Sequence, residues 1–273
     1  MKKYVIWIIV TIILVILALG FGYYIAGGKF SIFNTKDNET DNKIEENKDN
    51  EEKEDPLKDV SFDEVKSLYN GITFVGSACS EYGNYFYYRN SELTVDNMSD
   101  AFKVMLAFNH AYNDMESKDY IDTSTYITKE TLDKYFYNIF SSDVSYDTNN
   151  LSDDLKKVGA RFTFKDSKFY VLPTDCQNLT KLYKKVINAK KSNKRVEIYE
   201  KVAYLVRDWF PSPTGEVKVD ENSNISLGEI NNFNEVNDDT MKPYLDKLHT
   251  YKYTFEYIEK DKAYKFVKVE KVQ

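Results

Sequence analysis

Arginine is nearly missing from this chain: 4 Arg stand against 33 Lys in 273 residues. Few planar guanidinium forks are therefore available to grip phosphates or carboxylates. A net charge of −7 also leaves no basic surface for a nucleic-acid backbone, so nucleic-acid binding is disfavoured. Cysteine and histidine are scarce too, at two each, and no zinc-type Cys/His spacing can be assembled from them. Neither G-x-S-x-G nor S-x-x-K occurs, which removes the usual signatures of a serine nucleophile. Pairing Cys79 or Cys176 with His110 or His249 carries no spacing information, so the sequence assigns no catalytic residue, metal or cofactor.

Aromatic residues are what the chain has in excess. Its 23 Tyr and 17 Phe supply the material of a folded core, in one large domain or two small ones.

Tyr4 to Ala26 is a run of 23 residues without a charge. About 20 apolar residues in a helix suffice to cross a hydrocarbon core. Trp7 lies near one end of the run and Tyr23 and Tyr24 near the other, where amphipathic rings prefer the interface. Lys2 and Lys3 precede it, and the positive-inside bias then puts the N-terminus in the cytoplasm and the remainder outside. The run is longer than a signal-peptide core and no A-x-A follows it, so an uncleaved anchor is expected in place of a cleaved signal. Ala18, Gly22 and Ala26 share a small-xxx-small spacing, a candidate face for a homodimer.

From Thr35 to Asp59, eleven acids face five lysines, a net of −6 (5 − 11). Such a stretch buries too little apolar surface to offset its ordering entropy. It reads as a tether with an r.m.s. span of about 28 Å. The expected organisation is residues 1–28 as stub and membrane anchor, 29–60 as disordered acidic linker and 61–273 as an extracytoplasmic α+β domain.

Within that domain, Ser61-x-x-Glu64 is a capping box that opens a helix ending near Asn70-Gly71. Ile72 to Ala78 reads as a short strand. Ser99 caps a longer helix whose apolar face holds Phe102, Met105, Leu106, Phe108 and Tyr112. Thr128 opens a third, and a short fourth runs from Ser152 to Val158, closed by Gly159. After that the period falls from 3.6 to 2, with a turn at Asp166-Ser167, a long pair around Lys191–Lys194, and a final pair turning at Lys260-Asp261. Trp209 to Asp239 reads as a polar loop. Helices first and antiparallel strands later is an α+β order.

That order, the tail Tyr251–Val272 and the segment Tyr126–Asp133 resemble the NTF2-like (cystatin-like) cone fold. They are also similar to single-pass surface proteins of low-GC Gram-positive bacteria. The resemblance implies a curved sheet behind N-terminal helices. It implies no site, because that family hosts both binding modules and enzymes.

Three features are candidate functional sites. Along Arg195–Arg207, Glu200 shares a face with Val196, Ile198, Val202, Tyr204 and Val206, so a carboxylate sits among apolar neighbours. It must pair, reach water or shift its pKa, which makes it a candidate ligand contact. Trp209 and Phe210, ahead of Pro211 and Pro213, are candidate aromatic anchors. Cys79 and Cys176 are a candidate disulfide, worth roughly 4–5 kcal/mol for a loop of about 100 residues in the chain-entropy model. Asp220-Glu221-Asn222-Ser223-Asn224 resembles a calcium loop but has Ile225 where the turn needs glycine. The function expected is a membrane-anchored extracytoplasmic binding or interaction module. An envelope hydrolase or an accessory subunit of a membrane complex is the alternative.

Overall fold

The computed structural model describes residues 55–72, 92–116, 126–172, 179–209, 212–219 and 225–272. All of them belong to one compact unit, Glu52–Gln273.

Helix α1 (Phe62–Ile72) starts where the Glu64 carboxylate turns back to accept from the Ser61 N–H at 3.1 Å. It buries Val65, Tyr69 and Ile72, one turn apart, along a single stripe. Helix α2 (Asp100–Glu116) is capped by Ser99, whose Oγ accepts from the Phe102 N–H. Every residue from Ala101 to Phe108 is buried, so α2 is the central helix of the core and not a surface one. Thr128 caps α3 (Lys129–Ile139), which buries Leu132, Phe136 and Ile139. Helix α4 (Leu151–Lys157) buries Leu151 and Leu155 and is followed by Gly159 at φ 75°. A single turn, α5 (Asp238–Met241), carries a full Asn237/Thr240 capping box and runs on into a 3-10 segment, Lys242–Lys247.

The eleven strands of the described residues form two antiparallel sheets. Strands β3 (Tyr126–Thr128), β4 (Phe162–Lys165) and β5 (Lys168–Val171) make the small one, ordered β3-β5-β4. The large sheet is ordered β1-β6-β7-β10-β11-β2, from β1 (Lys58–Asp59), β6 (Thr180–Lys191), β7 (Arg195–Val206), β10 (His249–Ile258), β11 (Ala263–Lys271) and β2 (Glu92–Thr94). A hairpin, β8 (Gly215–Lys218) and β9 (Ser226–Ile230), adds to the far end of β7. One face of the large sheet packs under α1 to α4 and forms the main core, with Phe102, Phe136, Phe169 and Tyr253 fully buried. On the other face Ala203 and Leu205 pack with Val217, Phe233, Met241 and Leu248 in a smaller second core.

The composite fold expected from the sequence is corrected on two counts. None of the helices among the described residues is long and apolar enough to cross a membrane. Tyr4–Ala26, which carried that expectation, lies outside the described residues, as does nearly all of the acidic stretch. Nor do helices precede strands as a block, because β1, β2 and β3 stand before or between them. These strands have two or three residues, too few for an alternation to register, and each exists because a neighbouring strand offers it an edge. Residues 58–60 at the end of the acidic stretch thus bond to β6, through Lys58↔Lys191, Asp59↔Lys190 and Val60 N–H to the Ala189 carbonyl. The supposed loop from Trp209 to Asp239 holds β8, β9 and the start of α5. The strand expected over Ile72–Ala78 lies, beyond Ile72, outside the described residues.

Candidate functional site

Glu200 stands in β7 opposite Val186 of β6 and Tyr251 of β10, on the face that meets the helices. It is completely buried. The Tyr253 hydroxyl donates to Oε2 at 2.7 Å and the Tyr69 hydroxyl of α1 donates to Oε1. Lys184 of β6, diagonal to Glu200 on the same face, is held below its ordinary pKa by burial, with the Glu200 charge opposing that shift. Burial and the adjacent carboxylate together push the Tyr69 hydroxyl far above the ordinary tyrosine range, so it remains a donor. A register shift in β6 between Val186 and Asn188 lies directly across from Tyr199 and Glu200. The result is a polar knot inside the core that fastens α1 to the centre of the sheet.

A cavity of about 420 Å³ opens at one end of the same helix–sheet seam. Val65 and Leu68 of α1, Ile139 of α3, Val196 of β7 and Phe255 of β10 supply its apolar wall. His110, Asn138, Lys191, Tyr264 and Lys265 supply its polar one. The sequence folds this way because β6, β7, β10 and β11 all turn at this end, leaving α1 and α3 to span the gap. Tyr264 is fixed by donating to the Ser192 carbonyl at 2.6 Å, and the Lys191 ammonium lies 5.4 Å from its ring centre. Lys265, only 8% exposed, donates to the Tyr137 carbonyl. Burial lowers the Lys265 pKa, against the pull of Asp261. Glu64 is also on the wall, committed to the start of α1, while Gly71 leaves space that a side chain would fill.

His110 packs edge-on to Tyr135 at 5.1 Å, and burial lowers its pKa below 6.5 while Asp114 one turn on acts in the opposite sense. Asp114 also accepts from the Tyr135 hydroxyl, whose pKa rises to about 12 through burial and that bond. Ser67 shares the wall with His110, but no hydrogen bond joins them. Among the described residues no group of three His, Cys, Asp or Glu could hold a metal ion.

Of the candidates read from sequence, Glu200 is inside the molecule but not on the cavity wall. Trp209, 59% exposed after β7, does not line the cavity either. Phe210, Cys79 and Cys176 lie outside the described residues, as do Ala18, Gly22, Ala26 and most of the Asp220 loop. Lys191, Lys265, Asn138 and Tyr264 were not singled out, since they come from three distant stretches with no motif in common. Comparison with known proteins gives no lead: no family model, no curated protein and no solved structure matches the chain.

Two outcomes follow from this geometry. Tyr253→Phe removes a donor from a buried carboxylate and lowers unfolding free energy by about 1.5–3 kcal/mol, read as a shift of the urea midpoint at unchanged slope. Because the folded His110 pKa lies below its unfolded value, the unfolded chain binds more protons between the two. Stability therefore rises with pH up to about 6.5 and is lost on acidification through that window. Urea titrations at about pH 5 and pH 7.5 should show a smaller pH-dependent loss for His110→Asn than for the parent chain.

Proposed function

We propose that this chain is a binding module, not a catalyst, and that its ligand occupies the cavity between α1, α3 and the turning end of the large sheet. The observation that carries the reading is the cavity itself. Its volume falls within the ordinary range of small-molecule sites, and a few polar groups converge beside an apolar wall. What speaks against catalysis is the missing coupling of Ser67 to His110. Methyl-labelled full-length protein titrated with a library of soluble fragments tests this. Binding fragments should shift Ile139 and Val196 on the cavity wall and leave Val217 and Ile230 in the second core unmoved. Fragments that shift only the second core, or none that shift Ile139 and Val196, would overturn it.

The module belongs, on this reading, on the outer side of a membrane, held there by the uncharged run Tyr4–Ala26. The support is Lys2 and Lys3 ahead of the run and an acidic stretch behind it. Protease added to intact, wall-stripped cells should then degrade residues 61–273. Survival of that region while a known surface protein is cut would reverse the orientation.

A further inference from the structure

We infer that the cavity ligand is a small monoanionic organic acid, with a carboxylate head and an apolar body. The inference rests on reading the cavity as the ligand site, and it starts from charge. Among the described residues two lysines and one carboxylate line the cavity, a local +1 (2 − 1), in a chain whose net charge is −7. The carboxylate, Glu64, is already occupied, since its Oε1 accepts from both the N–H and the hydroxyl of Ser61.

The two ammonium groups differ from the ion-paired lysines of this fold. Lys129, Lys185, Lys252 and Lys268 each reach a carboxylate within 2.8 Å. Lys191 and Lys265 form no ion pair among the described residues. Lys191 has a tyrosine face, and the nearly buried Lys265 has a neutral carbonyl. For Lys265 the pull of Asp261 does not make up for its removal from water, and a carboxylate in the cavity would answer that cost. The Asn138 amide and the His110 ring on the same wall can add hydrogen bonds to the head, while Val65, Leu68, Ile139, Val196 and Phe255 enclose the body.

The kind of cation narrows the head group. None of the arginines among the described residues lines the cavity, and planar bidentate recognition of phosphates or dicarboxylates favours arginine forks. Two lysine point charges and one carboxylate leave a local charge of +1, which fits a single negative charge.

The test uses three water-soluble probes of one shape: 4-phenylbutyrate, 4-phenylbutanol and 4-phenylbutylammonium. Each is titrated into the full-length protein by calorimetry, with the Ile139 and Val196 methyl resonances followed in parallel. The carboxylate should bind about tenfold tighter than the alcohol, with the ammonium weakest. Lys191→Met together with Lys265→Met should abolish that advantage and leave the alcohol unchanged. Methionine keeps the apolar stems, and should the double variant not fold, Lys191→Met alone should cut the carboxylate advantage by about threefold. If all three probes bind within about threefold of one another and still move Ile139 and Val196, the anion inference fails while the cavity reading stands. An advantage that survives the lysine substitutions overturns the inference in the same way. If none of the probes moves those methyls, both fall.

Discussion

A carboxylate sealed in an apolar core destabilises whatever surrounds it unless donors reach it, and Glu200 is such a group at the centre of the largest sheet. Its two oxygens draw in hydroxyls from opposite directions of the chain. Tyr253 comes from the adjacent strand β10, and Tyr69 comes from α1, 131 residues away in sequence. Removing either donor leaves a buried charge under-solvated, so the knot penalises any arrangement in which α1 lifts off. The rings bring packing with them: Tyr69 lies edge-on to Phe62 at 5.4 Å and to Tyr253 at 6.0 Å. The apolar stripe of Val65, Tyr69 and Ile72 already turns one face of α1 to the sheet. The hydroxyls add direction to that seating.

Once α1 is fixed, the rest of the seam follows. Val65 and Ile72 fill the core beside α2, and the helix start at Ser61–Glu64 is held over the turning end of β6, β7, β10 and β11. The strands at that end run into turns, with Phe255 and Tyr264 the large side chains they place on the wall. Gly71 adds none on the helix side, where a Cβ would make only ordinary contact with Ile139 at 3.4 Å. The cavity is therefore the place where the sheet stops filling the space under α1 and α3. On the opposite face, the ladder Lys252–Glu270–Lys268–Glu92 runs across neighbouring strands. Such partly exposed pairs contribute little each, and they serve mainly to keep that face wet.

Sequence pattern was most legible where one element is long enough to show its period. The helices after Ser61, Ser99 and Thr128, and the hairpins around Asp166-Ser167, Lys191–Lys194 and Lys260-Asp261, follow from caps, turns and alternation. The inward position of Glu200 also followed from alternation along β7. Its partners did not, because Tyr69 belongs to a helix and nothing in its spacing marks a hydroxyl aimed at a strand. The short strands β1, β2 and β3 were illegible for the same reason, being created by their neighbours. The hairpin β8–β9 was hidden by polar residues that suit a loop as well as an edge. The cavity wall was the least legible feature, since Lys191 and Lys265 look like turn-flanking surface lysines until the fold covers them.

The knot and the cavity share one helix, and this couples them. Tyr69 faces the knot, while Val65, Leu68 and Gly71, each within one turn of it, face the cavity. A helix of eleven residues is nearly rigid on that scale, so a rotation that lengthens the Tyr69–Glu200 contact also turns the cavity wall. Lys184 is linked to the same knot, since the attraction of Glu200 partly offsets the burial that lowers its pKa. The stability of the core and the shape of the cavity are in this sense one quantity, set by how firmly two tyrosine hydroxyls hold one glutamate.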